Sequence, residues 1–312
     1  MGFFQFPNSI LVVIVFCMMN LFNLGFGARK LASLYEAPPM GIRYHNGALL
    51  QGNVPVSILW YGKFTAPQKA IVIDFFLSLD SHSDKSNSVT PSVSRWWNTV
   101  QVYMKRAGKK DAKLILAKQI TDDEYSIGKF LKRNQISELS RRAGSKYGGM
   151  TLVLTAEDVA VEGFCMSTCG FHNWDHKSKS AFIWVGNSVN QCPGQCAWPF
   201  HQPIYGPQTP PLLPPNADVG IDGMIINIAT LLAGTATNPF GNGYFLGLPA
   251  APLEAATACP GVYGKGAYPG YAGKLLKDDT TGGSYNADGV GSRKYLLPAL
   301  YDPVTSRCST LV

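Results

Sequence analysis

The stretch VPVSILWYGKFTAPQKAIVIDFFLSL at 54–79 decides the fold class. Its first part, 54–61, is mostly apolar and rich in β-branched and aromatic residues, which predicts a buried strand. After a short turn, residues 68–79 carry apolar side chains on a helical repeat and predict a helix. A strand followed at once by a helix is the unit from which α/β proteins are built.

The same alternation continues along the chain. Further helices are predicted at 93–106 and 126–142, further strands at 112–118, 150–155 and 181–185, and a buried apolar helix at 222–234. Strands separated by helices in this way predict an α/β fold, with a mixed sheet flanked by helices.

The composition describes a globular protein with many loops. Of the 312 residues, 46% are hydrophobic and only 15% are charged, against a typical charged share of about 25%. This excludes a coiled coil and a highly charged disordered chain. Six prolines fall within 203–215, where they favour an extended loop. We therefore expect a Pro/Gly-rich C-terminal half, with no linker that would separate two domains.

The N-terminus has the features of a signal peptide. An apolar run, ILVVIVFCMMNLFNL at 10–24, is followed by small residues at Gly25, Gly27 and Ala28. This order predicts a signal peptide at 1–27, cleaved after Gly27 or Ala28. The run is shorter than the roughly 20 apolar residues that span a membrane. We expect a secreted, extracellular protein with no membrane span after cleavage.

Cysteine usage agrees with secretion. Cys17 lies in the predicted signal peptide, and the six cysteines that remain are Cys165, Cys169, Cys192, Cys196, Cys259 and Cys308. An even number in an oxidising compartment predicts disulfides without deciding their connectivity. We expect Cys308 to join the C-terminus to the body of the protein. The three-residue spacing within two of the pairs also suits zinc, which stays as the alternative.

Positive charge is concentrated in residues 105–146. This segment has twelve Lys or Arg and five Asp or Glu, so its net charge of +7 equals that of the whole chain. One basic face would attract an acidic polymer such as a uronic-acid polysaccharide, whereas secretion disfavours nucleic acid. The alternative is a solvated face that keeps the protein soluble. The candidate residues are Lys109, Lys110, Arg141 and Arg142.

No catalytic motif is intact. The sequence lacks the G-x-S-x-G elbow, the P-loop and the H-E-x-x-H motif. The helix at 222–236, followed by Thr-Asn-Pro at 237–239, is similar to the helix of secreted zinc peptidases. The two metal-ligand positions then fall on Thr230 and Gly234 and the general base on Leu231, none of which suits the chemistry. We expect no catalytic residue, metal or cofactor, and keep a degenerate zinc-peptidase-like fold as an alternative to a plain buried helix.

Histidines and tryptophans accompany the first two cysteine pairs. His172 and His176 lie four apart beside one pair, and disulfides would draw the neighbouring loops together. Imidazoles there suit a metal or an acidic ligand, and indoles suit stacking on a sugar ring. The alternative is that each side chain is structural. The candidate pocket residues are His172, His201, Trp174 and Trp198.

Four long stretches carry a resemblance to a known family. They are FCMSTCGFH (164–172), IWVGNSVNQCPGQC (183–196), CAWPFHQPIYGPQTPPLLPPNADVGIDGMIINIATLLAGTATNPFGNGYF (196–245) and RKYLLPALYDPVTSRC (293–308). They resemble the EXORDIUM-like (phosphate-induced protein 1) family of plant secreted proteins. The resemblance covers essentially all of residues 28–312 and implies that they form a single domain of this family.

The resemblance also implies a function. Proteins of this family are expected in the apoplast or cell wall, where they promote cell expansion in connection with brassinosteroid-dependent growth and carbon status. The family has no established catalytic residues. We therefore expect a protein that acts by binding, with an acidic cell-wall polysaccharide or an apoplastic receptor as partner. The alternatives are an extracellular hydrolase of wall polysaccharide or peptide, and a lectin-like wall-binding module.

Overall fold

The computed structural model describes most of the chain beyond the N-terminal segment. The described residues are 41–80, 90–144, 149–166, 168–175 and 177–312. The predicted signal peptide at 1–27 and the side chain of His176 lie outside them. Residues Gly41–Val312 group into one compact unit. The domain boundary at residue 28 stays a prediction.

The regular elements follow the alternation expected from the sequence. In the described part, the helices are α1 (Ala66–Leu79), α2 (Val93–Arg106), α3 (Arg133–Arg142), α4 (Pro193–Cys196) and α5 (Val219–Thr237), with a 3-10 turn at Val290–Ser292. The strands there are β1 (Arg43–Tyr44), β2 (Gly52–Tyr61), β3 (Ala112–Asp122), β4 (Phe130–Leu131), β5 (Met150–Thr155), β6 (Ala160–Val161), β7 (Gly170–Asp175), β8 (Ser180–Gly186), β9 (Tyr244–Phe245), β10 (Leu276–Lys277), β11 (Ser284–Tyr285), β12 (Ala287–Asp288), β13 (Lys294–Tyr295), β14 (Leu300–Asp302) and β15 (Arg307–Ser309).

A five-stranded mixed sheet forms the centre of the protein. Its order is β3-β2-β5-β8-β7, with β7 antiparallel to β8 and the other pairs parallel. Residues 56–61 of β2 pair with 150–155 of β5. Parallel strands covered on both faces read as nearly continuous apolar runs, which explains the sequences of β2, β5 and β8. The expected α/β architecture is confirmed.

Helix α1 begins where the sequence supplies a cap. The Thr65 hydroxyl accepts a hydrogen bond from Gln68 N at 3.3 Å, and Gln68 Oε1 accepts one from Thr65 N at 2.9 Å. This reciprocal capping box satisfies backbone donors that have no partner inside the helix. Pro67 falls in the first turn, where its missing N–H costs no helical hydrogen bond.

Two hydrophobic cores lie on opposite faces of the sheet. The larger contains buried side chains of α1, α2 and α5, together with Val56, Ile58 and Trp60 of β2. The smaller contains side chains of α3, together with Leu59 and Tyr61 of the same strand. Because successive side chains of a strand point to opposite faces, α2 and α3 belong to different layers.

The helix predicted at 126–142 is too long. Gly128 has a φ of +86°, and Phe130–Leu131 pairs with Ala160–Val161 as the two-stranded sheet of β4 and β6. The helix begins only at Arg133. The sequence at 130–131 falls within the predicted helix, but in the structure it pairs with β6, which lies 30 positions further along the chain.

Strand β7 is absent from the sequence-based prediction. Its sequence, GFHNWD, has no regular apolar pattern, and only pairing with β8 makes it a strand. The approach is close at Gly170, because a Cβ atom there would lie 2.5 Å from Trp184 O. Only glycine fits at this position without a shift of the neighbouring strand.

Helix α5 is the apolar helix expected at 222–234, and it is longer at both ends. It starts after Asp218, whose Oδ1 accepts from Ile221 N at 2.9 Å. Within the described residues, it is the one helix that is long and apolar enough to cross a membrane. However, 78% of its most apolar 18-residue stretch is buried inside the protein. The prediction of a buried core helix is confirmed.

The C-terminal ends of β2 and β5 are covered by a loop of the same chain. Gly62, with a φ of +94°, allows this contact, since a Cβ would lie 2.6 Å from Ala156 Cβ and 3.0 Å from Tyr125 Cε1. The Tyr61 hydroxyl donates to Gly128 O at 2.6 Å and holds the same loop. The crevice between these two strands is therefore filled by protein.

Candidate functional site

Two disulfides join the segment before β7 to the segment around α4. Cys165 bonds to Cys192 and Cys169 to Cys196, with Cα–Cα distances of 5.6 and 5.3 Å. Each bond spans 27 positions, so the two form successive cross-links between the same loops. The four sulfurs are thus used in disulfides, and the zinc alternative is wrong for them.

A third disulfide holds the C-terminal region. Cys259 is buried and bonds to the exposed Cys308, which lies in β15. The predicted attachment of the C-terminus through Cys308 is confirmed. Within the described ranges, no group of three or more His, Cys, Asp or Glu side chains is placed to hold a metal ion.

His172 lies on β7 and takes part in a buried polar network against α5. Its Nε2 is 2.8 Å from Glu254 Oε2, and Glu254 Oε1 accepts from Asn238 Nδ2 at 2.7 Å. Asn238 Oδ1 in turn accepts from Gly243 N at 2.7 Å. The other ring nitrogen of His172, Nδ1, is buried and has no hydrogen-bond partner among the described residues. The network fastens the end of α5 to the loop that follows it.

The positions of α5 that match the zinc-peptidase helix carry no ligand. The Thr230 hydroxyl donates to Ile226 O at 2.8 Å, as a threonine within a helix commonly does. Gly234 lies against the His172–Glu254 pair, and a Cβ there would be 2.2 Å from Glu254 Oε2. The glycine makes room for the pair, which occupies this side of the helix.

Trp174 and Trp184 have structural surroundings. The Trp174 ring meets Phe240 edge to face, with centroids 5.9 Å apart. Trp184 is fully buried in β8, and its Nε1 donates to Thr155 Oγ1 at 3.1 Å. Neither lines the clefts described next.

Two adjoining clefts lie on either side of Trp198. The larger measures about 430 Å³ and is lined by Trp198, Tyr205 and Tyr268 together with four prolines. The smaller measures about 230 Å³ and includes His201, Thr209 and Tyr271 in its lining. Both clefts share Trp198 and Gly270. The first lies within the range of roughly 300–1,000 Å³ typical of small-molecule sites.

The walls of these clefts are held firmly. The Trp198 ring packs on the buried Tyr263, at a centroid distance of 5.7 Å. The Pro-rich segment is tied to the opposite loop by a hydrogen bond of 2.8 Å from Thr209 Oγ1 to Gly270 O. A second hydrogen bond of 2.9 Å, from Leu212 N to Pro199 O, ties it to the residues just before it. The loop around Gly270 is itself closed by two backbone hydrogen bonds between Tyr268 and Tyr271.

The structure therefore divides the pocket predicted around His172, His201, Trp174 and Trp198. Trp198 and His201 line one cleft, whereas His172 lies in its own polar network and Trp174 packs on Phe240. The disulfides do connect the two segments, but β7 directs His172 toward α5.

The predicted basic face is also divided. Lys109 and Lys110 follow α2, while Arg141 and Arg142 end α3, on the opposite face of the sheet. Arg141 Nη1 lies 3.5 Å from the buried Asp175, and Arg142 contacts Glu138 one turn earlier on its helix. Two separate basic groups replace the single face, and the second is partly neutralised.

A buried carboxyl group connects the Pro-rich segment to α5. Asp222 accepts hydrogen bonds from Asn216 N at 2.9 Å and from Asn216 Nδ2 at 2.6 Å. Burial raises the pKa of Asp222 to about 7, although the hydrogen bonds from Asn216 act in the opposite direction. Loss of solvation therefore outweighs them.

Comparison with known proteins identifies the family. Residues 42–311 match the family model of the phosphate-induced protein 1 conserved region. The chain is 55% identical to Protein PHOSPHATE-INDUCED 1 of Nicotiana tabacum, over 99% of each chain. It is 54% identical to Protein EXORDIUM of Arabidopsis thaliana, over 97% of this chain and 99% of the relative, and 52% identical to Protein EXORDIUM-like 2 of the same plant, over 96% and 97%. No solved structure matches the chain.

The chain thus belongs to the phosphate-induced protein 1 family, to which the EXORDIUM proteins also belong, and the resemblance seen in the sequence is confirmed. It is a growth-related plant protein of this family, and none of these relatives has the name of an enzyme.

Several residues around these sites have no signal in the sequence. Glu254 lies 82 positions from His172, in a segment without a recognisable motif. Tyr205, Tyr268 and Tyr271 come from two Pro- and Gly-rich segments that read as irregular structure. Their exposure in a region rich in prolines is the one feature that points to them, and it appears only in the folded protein.

Proposed function

We propose that this protein is secreted to the apoplast and cell wall, where it promotes cell expansion by binding rather than by catalysis. The three disulfides carry the proposal, because such bonds persist in oxidising extracellular compartments and are rare in the cytosol. The resemblance of the family adds the expected link to brassinosteroid-dependent growth and carbon status.

Lys109 and Lys110 are the residues best suited to meet an acidic wall polysaccharide. They follow α2 without an ion pair in the described part of the chain, unlike the two arginines of α3. Attraction between exposed charges is screened over about 8 Å at physiological salt, so this contact would be released by salt. A receptor in the apoplast is the other expected partner.

One observation favours a hydrolase as the second candidate. The buried His172–Glu254 pair leaves His172 Nδ1 without a partner among the described residues, and a histidine oriented by a carboxylate is a common general base. A screen on wall polysaccharides and peptides, with His172→Ala as the control, tests this candidate. Activity that the substitution abolishes would establish it.

Fractionation of plant cells that express the full chain tests the main proposal. We expect the protein in apoplastic fluid and salt extracts of the wall, beginning at Ala28 or Arg29, and cells longer than those of controls when brassinosteroid is supplied. Lys109→Glu with Lys110→Glu should lower wall retention, whereas Lys277→Glu on β10 should not. An intracellular protein that retains Met1 would contradict secretion, and unchanged cell length would contradict the growth function.

A further inference from the structure

The two clefts around Trp198 are lined by no carboxylate, lysine or arginine side chain. No Asp, Glu, Lys or Arg occurs from Ser180 through Ala217, and none lines either cleft. The charged residues that flank the opposite wall loop in sequence, Lys265 and Lys274, are exposed and line neither cleft. An anionic ligand such as a uronate or a nucleotide would meet no lysine or arginine in these walls, and only one imidazole, that of His201. The occupant that fits is electrically neutral.

Aromatic rings are unusually exposed at the same place. Tyr205 is 87% exposed and Tyr268 is 64% exposed. Large apolar side chains that lie together at the surface mark an interaction site more often than single ones do. Tyr268 and Tyr271 stand 5.0 Å apart between centroids, which presents a pair of rings on one short loop.

The rings retain hydrogen-bonding capacity. Within the described part of the chain, the hydroxyls of Tyr205, Tyr268 and Tyr271 have no hydrogen-bond partner, and neither does Trp198 Nε1. A suitable ligand therefore has apolar faces that stack on aromatic rings and polar edges that accept and donate hydrogen bonds. A pyranose has this form, with C–H groups on its faces and hydroxyl groups at its edges.

The walls favour a sugar over a proline-rich peptide. Aromatic grooves that take such peptides hold the peptide's prolines between separated rings. Here Tyr268 contacts Tyr271, Trp198 contacts Tyr263, and the protein's own prolines complete the larger cleft. The wall segments also contain many prolines, which donate no hydrogen bond, so backbone acceptors are in excess. Sugar hydroxyls supply the missing donors, and a polyproline ligand does not.

We propose that the two clefts around Trp198 bind consecutive residues of a neutral pyranose polysaccharide, with Tyr205, Tyr268 and Tyr271 as stacking and hydrogen-bonding surfaces. This inference rests on the proposed extracellular binding function and names its ligand class. The rigid walls reduce the loss of conformational entropy on binding, which favours affinity for a flexible chain. The site is separate from Lys109 and Lys110, which are expected to meet acidic polymers.

Calorimetric titration of the purified, disulfide-intact protein tests the proposal. The probes are cellohexaose, xylohexaose and mannohexaose, with trigalacturonate and a decaproline peptide for comparison. We expect at least one neutral hexasaccharide to bind and the other two probes not to. Tyr268→Ala and Tyr205→Ala should each weaken that binding about tenfold, equivalent to roughly 1.4 kcal/mol. Phe130→Ala, on β4, is the matched control, because Phe130 is 86% exposed and lines neither cleft.

Each contrary outcome is decisive. Failure of all three hexasaccharides to bind, or binding that both tyrosine variants leave unchanged, would overturn the proposal. Binding of decaproline with the same sensitivity to Tyr268→Ala would show a peptide groove instead. All variants should keep the wild-type unfolding midpoint, since the replaced side chains are exposed. Secretion and growth promotion are measured separately, so a protein that is secreted and active but binds no neutral sugar would reject only this inference.

Discussion

The buried carboxyl of Asp222 should make this protein more stable in mildly acidic solution than at neutral pH. Its pKa is raised from 3.8 to about 7, a change of roughly three units, because burial disfavours the charged form. Each unit corresponds to about 1.4 kcal/mol. The native state therefore holds a proton that the unfolded chain releases near pH 4.

The direction follows from proton linkage. Between about pH 4 and pH 7 the native state binds more protons than the unfolded state, so the free energy of unfolding falls as the pH rises. The full contribution of Asp222 is present below pH 4 and is lost by about pH 7, and its upper limit is about 4 kcal/mol. Hydrogen bonds and nearby cations, despite some desolvation, lower the pKa values of three other carboxyl groups, those of Asp158, Asp175 and Asp278. The stability that these groups give the folded protein is lost only as the pH falls below about 4.

Urea unfolding followed by tryptophan fluorescence measures how the free energy of unfolding depends on pH. The measurements are made at about pH 4.5, 5.5, 6.5 and 7.5, which cover the range over which Asp222 contributes. Asp222→Asn is the comparison variant. It cannot titrate, and its single acceptor oxygen leaves one of the two Asn216 donors without a partner, which should cost about 1–3 kcal/mol at acidic pH. The stability difference between wild type and variant should shrink as the pH rises. A difference that stays constant across this range would refute the reasoning.

Two further predictions concern stability. Replacing Cys259 and Cys308 by serine removes a cross-link between residues 49 positions apart. The free energy of unfolding should fall by about 4 kcal/mol, measured as a lower urea midpoint. An unchanged midpoint would show that this bond does not restrain the unfolded chain. Gly234→Ala places a methyl group 2.2 Å from Glu254 Oε2. It should lower the free energy of unfolding by about 1–3 kcal/mol, measured as a lower melting temperature. Ala229→Gly on the same helix is the control for a change in helix propensity and should lower it by about 1 kcal/mol. A Gly234→Ala protein as stable as wild type would show that the His172–Glu254 pair can move at no cost.

The part of the fold that depends on local pattern was predictable. The strand and helix of 54–79 and the apolar helix 222–234 each carry their periodicity within a single window of sequence, and the structure has all of them. The polar sequence of β7 becomes a strand only because β8 offers a partner, so no local pattern reveals it. For the same reason the local sequence at 126–132 did not reveal β4, because pairing with the distant β6, and not a local pattern, makes residues 130–131 a strand.

The candidate site was less predictable because its parts are distant in sequence. The hydrogen bond from Thr209 to Gly270 spans 61 positions, and the clefts exist only once those two loops meet. The sequence pointed to Trp198 and His201, which line them, but it also added His172 and Trp174, which do not. Alternation along β7 and contact with α5 determine where those two side chains lie, and neither is visible in a motif.

The loop that covers the ends of β2 and β5 has a consequence for where chemistry can occur in this protein. Open parallel sheets usually hold their ligands in the crevice where the strand order reverses, beyond the carboxyl ends of the strands. Here β2 has β3 on one side and β5 on the other, and Ala156 and Tyr125 lie against Gly62 at that point. This crevice is therefore occupied by the chain itself, and the clefts proposed for ligand binding lie elsewhere, in the loops around Trp198. Removing the Tyr125 ring alone would leave Ala156 and Val159 against Gly62, so a small-molecule site built at this crevice would require changes to the segment after β5 as well.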